Sequence, residues 1–121
     1  MKRILVVEDN ENNMYLITFI LEKVGHEVIA AKTGEEGVAL ALKEQPDLIL
    51  MDIQLPGING LETTRRIRAA NQGGDVPIIA LTSYALVGDR EQVLSAGCTG
   101  YIEKPINPET IMEEIGKFLS E

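Results

Sequence analysis

The chain has 121 residues, enough for one domain with a proper core and too few for a second of ordinary size. Hydrophobic residues make up 45% and charged residues 25%, the balance of a soluble globular protein. A formal net charge of −8 excludes the basic surface with which nucleic-acid binders neutralise phosphates, and agrees with a protein that meets basic surfaces or metal cations. The single cysteine, Cys98, leaves no internal disulfide to form, so a reducing compartment is expected; just after Ala96-Gly97 it reads as a small core residue rather than a catalytic thiol. Ile4 to Val7, behind Met1-Lys2-Arg3, is too short for a signal peptide and no stretch would span a membrane, which makes the cytoplasm the default.

Taken in order, Ile4-Leu5-Val6-Val7 is apolar at consecutive positions, the pattern of a strand buried on both faces, and Glu8-Asp9-Asn10 ends it. Ile17, Ile20, Leu21 and Val24 follow at spacings of three and four, predicting the inner face of a helix that Gly25 stops. Val28 to Ala31 is a shorter strand. Thr33-Gly34-Glu35-Glu36 has the spacing of a capping box and opens a helix with Val38, Ala41 and Leu42 inward, ended by Pro46. Leu48 to Met51 is the clearest strand, carrying Asp52 out of the core just before the turn residues Pro56, Gly57, Asn59 and Gly60. Leu61 to Ala70 is predicted helical with Arg65, Arg66 and Arg68 on its outer side, and Asn71 to Asp75 is loop. Pro77 to Leu81 is another buried strand, ending at Thr82-Ser83. Asp89 to Ala96 makes a weakly anchored helix, with Val93, Ala96 and Leu86 as its apolar residues. Gly100 to Glu103 is a short last strand leading into Lys104-Pro105. Asn107-Pro108 pairs an N-cap with a proline at the first helical position, opening a helix that shows Ile111, Ile115, Phe118 and Leu119 on one face and runs to the end of the sequence.

Strand and helix thus alternate five times over short connections, without repeat, low-complexity tract or linker. That predicts an α/β fold, a doubly wound five-stranded parallel sheet of the flavodoxin-like kind with five helices on both faces, in one domain over residues 1–121. With the three strongest apolar runs central and the weaker Val28–Ala31 and Tyr101–Glu103 at or near the edges, the order is 2-1-3-4-5. The first and third strands then lie side by side, about 5 Å apart.

Under that order Glu8, Asp9 and Asp52 converge at the carboxyl rim, where open α/β sheets hold their ligands. Asp52 alone is either a solvated strand end or a reactive group. Like charges so close raise one another's pKa unless a cation offsets them. Two compensators are available: Lys104 at the end of the last strand, and a divalent ion, since an all-oxygen site of carboxylates suits Mg²⁺. Thr82 brings a hydroxyl to the same rim. His26, the only histidine, follows Gly25 at the opposite end of the sheet and reads as a surface residue, so a Ser-His-Asp arrangement is excluded. Phosphate-loop and dinucleotide motifs do not occur. What remains is a carboxylate acting as a nucleophile toward phosphorus, with a metal on Asp9 and Asp52, the Lys104 ammonium and the Thr82 hydroxyl supplying alignment and charge neutralisation.

The constellation Glu8-Asp9, Asp52, Thr82, Tyr101 and Lys104-Pro105, in the motifs V-V-E-D-N, L-I-L-M-D-I-Q-L-P-G, A-L-T-S and Y-I-E-K-P, resembles the receiver domain of bacterial two-component response regulators over essentially the whole chain. The resemblance implies that Asp52 accepts a phosphoryl group from a histidine kinase or a histidine phosphotransfer protein. It further implies that Asp9, Asp52 and the backbone carbonyl of Gln54 bind Mg²⁺ (Mn²⁺ being a substitute) with Glu8 acting through water, that Lys104 contacts the phosphoryl group, and that the Lys104-Pro105 peptide is cis. By the same likeness, the Thr82 hydroxyl bonds the phosphorylated Asp52, drawing the Thr82-Ser83 loop inward, and Tyr101 rotates into the space vacated. Glu8 stands where many members have aspartate. Gln54 and Tyr84, two residues after Asp52 and Thr82, are expected to border the phosphoryl group and slow its hydrolysis.

The sequence stops about one turn after Leu119, so no output domain is expected, and output would pass through protein partners, by way of the helix after Asp89, the last strand and the final helix. M-D-I-Q-L-P with G-C-x-x-Y-I-x-K-P-I looks most like stand-alone regulators of the DivK type, which act in cell-cycle and polarity signalling; receivers cut from hybrid kinases or larger regulators look similar. Two other classes compete with a phosphorylation switch. A small aspartyl phosphatase would want a second acid at position 54, which is Gln, and a phosphorylation-independent scaffold would be expected to have lost part of the acidic site or the lysine. The expectation is a signalling module and not an enzyme, apart from assisting its own phosphorylation and dephosphorylation, with no direct contact to nucleic acid or membrane.

Overall fold

Each of the three consecutive-apolar runs becomes a strand in the middle of one sheet. The computed structural model describes residues 2–70, 75–83 and 87–119, with backbone alone at 87–89. The expected loop from Asn71 (Asp75 excepted), Tyr84 and Leu86 lie outside the described residues. In chain order the elements are β1 (Arg3–Val7), α1 (Glu11–Lys23), β2 (Glu27–Ala31), α2 (Gly34–Glu44), β3 (Leu48–Asp52), α3 (Gly60–Ala70), β4 (Ile78–Thr82), α4 (Val87–Ser95), β5 (Gly100–Glu103) and α5 (Ile111–Gly116). All strand pairs are parallel, and the order is β2-β1-β3-β4-β5.

Successive residues of a strand point to opposite faces, and here both faces are covered. Ile4, Val6, Leu48, Leu50, Ile79 and Leu81 pack with Ile17 and Leu21 of α1 and with Ile111 and Ile115 of α5. Leu5, Val7, Ile49, Met51, Ile78 and Ala80 pack on the other side with Ala41 of α2, Ile67 of α3 and Val93 of α4. Every one of these strand residues is fully buried, and each such Leu or Ile contributes roughly 1.5–3 kcal/mol by leaving water. The central strands are thereby fixed in register, and with them the residues at their ends.

The helices depart from the expected phases in ways that have local causes. Val24 is 53% exposed, because α1 closes at Lys23 and Gly25 takes φ +93°. In α2 the inward stripe is Gly34, Gly37 and Ala41, which lets the helix close onto α3 and Val7, while Val38 is half-buried and Leu42 turns outward. The Thr33 hydroxyl accepts from the Glu36 N–H at 3.1 Å, and Glu36 reaches back to the Lys32 N–H at 2.7 Å, one residue further than a capping box requires. Gln45, in a left-handed conformation at φ 47°, ends this helix ahead of Pro46. Arg65 and Arg66 are exposed as expected, but Arg68 folds back so that its Nε donates to the Gly97 carbonyl at 2.9 Å. α4 begins two residues before Asp89, with Val93 buried on it and Ala96 buried just beyond. α5 starts later and ends earlier than predicted: the Asn107 side chain accepts from the Glu109 N–H at 2.9 Å and caps a turn over 108–110, the regular helix running only from Ile111 to Gly116. Ile111 and Ile115 are buried, and Phe118 and Leu119 pack against the same cluster beyond the helix. His26 lies at the surface but is partly covered, and its Nδ1 accepts from the Lys2 N–H at 3.1 Å.

One close approach bears directly on the rim. The Gly60 N–H donates to the Ile53 carbonyl at 3.0 Å, and a Cβ at Gly60 would fall 2.1 Å from the backbone oxygen of Asp52. The obstacle is main chain and cannot swing aside. Gly60→Ala is expected to lower stability by roughly 1–3 kcal/mol, as overpacked sites do, read as a fall in the urea midpoint at unchanged slope.

Candidate functional site

Strand register brings the acids together. β1 pairs with β3 from Ile4↔Leu48 to Val7↔Met51, so the next residues, Glu8 and Asp52, emerge side by side. β4 pairs with β5 as far as Thr82↔Glu103, and the Lys104 N–H then donates to the Thr82 carbonyl at 2.8 Å. The main chain grips both buried carboxylates from two residues on: the Asn10 N–H donates to Glu8 Oε2 at 3.2 Å, and the Gln54 N–H to Asp52 Oδ1 at 3.1 Å. Asn10 also caps α1, its Oδ1 accepting from the Asn13 N–H at 2.9 Å.

Glu8 and Asp52 are 1% and 2% exposed, Asp9 is exposed, and one oxygen from each of the three lies within 4.8 Å of the others. The Lys104 Nζ stands 3.0 Å from Asp52 Oδ1 and 3.3 Å from Glu8 Oε1. At an effective dielectric near 20, each of these contacts is worth about 5 kcal/mol in gross Coulomb terms, against about 3–4 kcal/mol of repulsion between two carboxylates at 4.8 Å. The ammonium therefore outweighs the repulsion between the two buried acids. It does not balance all three, since three carboxyl groups stand against one ammonium. Glu8 Oε1, although close to Lys104, is out of line for a hydrogen bond and has no other partner among the described residues. A buried under-satisfied oxygen, an all-oxygen donor set and more carboxyl groups than ammonium together fit a hard divalent cation.

Burial first, and then the neighbouring Asp52 carboxylate, push Glu8 up to about 7, against the Asn10 N–H and the Lys104 ammonium. Burial acts to lower the pKa of Lys104, but Asp52 and Glu8 outweigh it and the group is held above its ordinary value. Near neutral pH Lys104 is thus charged, while Glu8 is divided between its two forms.

The other predicted residues fall around this cluster. Thr82 is buried at the end of β4, Ser83 is exposed beside it, and Gln54 is exposed with its N–H engaged. The Lys104-Pro105 peptide is cis. Tyr101 lies half-buried on β5, on the face toward α4. Tyr84 lies outside the described residues. Cys98 is buried, its thiol pushed up by burial, with Sγ 3.7 Å from the Thr64 hydroxyl. Two features had not been picked out from the sequence. Tyr15 and Phe19, four apart on α1, stand 74% and 55% exposed with their rings stacked at 6.5 Å, and Arg90 lies over the Tyr101 ring. The aromatic pair was legible in principle as two large rings off the Ile17–Ile20–Leu21 stripe; the Arg90 contact, between a helix and a strand, was not.

A five-stranded parallel sheet in this order, with an acid triad and a lysine converging at the rim where β1 and β3 meet, defines the class of flavodoxin-like domains that carry an acidic site at the carboxyl end of the sheet. The chain belongs to the response regulator receiver domain family, whose model matches residues 4–116. It is 42% identical over 120 residues to the polar-differentiation response regulator DivK of Brucella anthropi, and equally to that of Brucella ovis, in each case across 99% of this chain and 98% of the relative. Among solved structures it resembles the chemotaxis protein CheY4 of Vibrio cholerae, with TM-score 0.93 and 30% identity over 98% of this chain and 99% of that one. It also resembles the receiver domain of the sensor histidine kinase PA1611 of Pseudomonas aeruginosa, which holds a magnesium ion in its active-site cleft, with TM-score 0.88 and 40% identity over 97% and 96%. The chain is accordingly a response regulator receiver domain of two-component signalling, similar to DivK.

The raised pKa of Glu8 has a definite pH signature in the metal-free protein. The unfolded chain loses this proton near 4.5 and the fold holds it to about 7, so the fold binds more protons between those values and stability falls as pH rises through them. Relative to wild type, Glu8→Gln is expected to gain stability over that window, on the order of 3 kcal/mol by its upper end, and to hold the gain above pH 7. Urea titrations in a chelator at pH 4.5, 6 and 8 measure it; a constant difference would contradict the assignment.

Proposed function

We propose that Asp52 is the phosphoacceptor and that the domain works as a phosphorylation-dependent switch on protein partners. The observation that carries this reading is a buried carboxylate at the sheet rim with an ammonium 3.0 Å away and two further acids within 4.8 Å. An Asp52 oxygen forms the bond to phosphorus as the bond from phosphorus to the donor's nitrogen breaks. Lys104 follows the transferred group and offsets its oxygens, and the Thr82 hydroxyl donates to one of them. Asp9, Asp52 and the Gln54 carbonyl would hold Mg²⁺, or Mn²⁺ in its place, with Glu8 acting through water. When bound, the ion supplies the missing positive charge and aligns the donor's oxygens against Asp52. Magnesium in the cleft of the PA1611 receiver supports that choice.

The donor is a phosphorylated histidine on a kinase or phosphotransfer protein. Its docking surface is α1, where Tyr15 and Phe19 stand exposed, together with the neighbouring cleft lined by Asn13, Ser83, Lys104, Pro105 and Ile106. The downstream partner binds the α4, β5 and α5 face, where a second cleft is lined by Tyr101, Glu103, Pro105, Thr110 and Glu114. On phosphorylation Thr82 moves toward the phosphoryl group, Ser83 moves with it, and Tyr101 turns inward. The domain comprises residues 1–121, catalyses nothing beyond its own phosphorylation and dephosphorylation, and works in the cytoplasm, in keeping with a buried free Cys98 and with the lack, among the described residues, of any helix able to cross a membrane.

DivK relatives matched over 98% of their length favour action as a separate module, whereas 40% identity to the PA1611 receiver favours a unit of a hybrid kinase. The size of the native polypeptide, near 13.3 kDa or far above it, decides between them.

Intact mass after incubation with acetyl phosphate tests the central assignment: one phosphoryl adduct is expected, dependent on Mg²⁺ and lost in Asp52→Asn. An adduct that persists in Asp52→Asn, or none in folded wild type, would overturn it. Tyr15→Ala with Phe19→Ala is expected to slow transfer from the histidine donor by roughly tenfold or more, as loss of an aromatic anchor does, while leaving labelling by acetyl phosphate unchanged. Gln54→Ala and Tyr84→Ala are expected to lose the phosphoryl group faster than wild type in the same mass assay.

A further inference from the structure

The Arg90 guanidinium carbon lies 5.1 Å from the centroid of the Tyr101 ring, within the range of a cation–π contact. Arg90 stands three residues before the buried Val93 on α4, and Tyr101 sits on the edge strand β5, so the contact ties the front half of α4 to the sheet. Among the residues of α4 whose side chains are described, Val93 is the buried one, with Ala96 buried just past the helix end. Its far end is held separately, by Arg68 of α3 on the Gly97 carbonyl. Arg90 makes no hydrogen bond or ion pair among the described residues, and the ring is its one specific partner there.

A contact of this kind acts on an equilibrium when one of two positions of the ring makes it and the other does not. In the position seen here, half-buried on the α4 side of β5 and termed outward for contrast with a ring turned toward Thr82, the ring meets the guanidinium. A ring turned toward Thr82 leaves α4 and gives that contact up.

We propose that Arg90 is a positioning residue for Tyr101: its guanidinium holds the ring in the outward position and so sets what fraction of the unphosphorylated protein already has it inward. This rests on the reading of Tyr101 as the switch residue. An exposed cation–π contact changes the ratio of the two ring positions by about two- to fivefold, enough to alter the resting activity of a switch without abolishing its response.

The test is the side-chain torsion population of Tyr101, from three-bond nitrogen–carbon and carbon–carbon couplings in the isotope-labelled full chain, before and after acetyl phosphate with Mg²⁺. In the unphosphorylated state Arg90→Gln is expected to raise the ratio of inward to outward ring two- to fivefold. Arg90→Lys, which keeps a cation within reach, is expected to stay near wild type. An unchanged ratio in Arg90→Gln, or equal changes in Arg90→Gln and Arg90→Lys, overturns the role of Arg90 while leaving the switch reading intact. A wild-type population that does not respond in protein whose mass shows the phosphoryl adduct overturns the switch reading of Tyr101, and this inference with it.

Discussion

The Lys104 ammonium between Asp52 and Glu8 is the contact on which the rim depends. Two carboxylates taken out of water cost several kcal/mol each, and their mutual repulsion adds to that. Lys104 meets one at 3.0 Å and the other at 3.3 Å from a strand that neither acid belongs to. It offsets part of that penalty, yet Glu8 is still pushed up to about 7 and Glu8 Oε1 has no aligned donor among the described residues. The site is held together and kept short of satisfied by the same side chain. That residual deficit is of positive charge, the kind a hard divalent cation is suited to fill.

Rigidity is unevenly spread around this site. Asp52 is fixed by its own strand, buried along its length, by the Gln54 N–H and by Gly60 against its carbonyl. On the other side of the rim the elements are more thinly held: Val93 is the one buried residue of α4 among those whose side chains are described, β5 is an edge strand four residues long, and Tyr101 is only half covered. Asp52 thus has a firmly packed strand behind it and less buried structure in front, and low-stability openings are drawn from regions of the second kind.

The sequence was most legible where apolar residues run consecutively. Ile4–Val7, Leu48–Met51 and Ile78–Leu81 can only be strands covered on both faces, so the sheet order follows, and with it the meeting of Glu8, Asp52 and Lys104. Helix phase was harder. The spacing of Val38, Ala41 and Leu42 suggested a leucine facing inward, but Gly34 and Gly37 let α2 approach so closely that the inner stripe shifted and Leu42 turned out. Arg68 and His26 were read as solvent-facing because their partners, the Gly97 carbonyl and the Lys2 N–H, are brought near only by tertiary structure. The same holds for Arg90 over Tyr101. The start of α5 shifted because Asn107 caps a turn rather than the helix proper. Contacts made by side chains across elements leave no periodic trace in the sequence.

The site draws Glu8 from near one end of the chain and Lys104 from near the other, with Asp52 between, so it has no local precursor. Pairing β1 with β3 is enough to bring the two acids side by side, but the ammonium that offsets them comes from the segment after β5. The cluster is therefore complete only where the whole sheet is, and no fragment of the chain carries it.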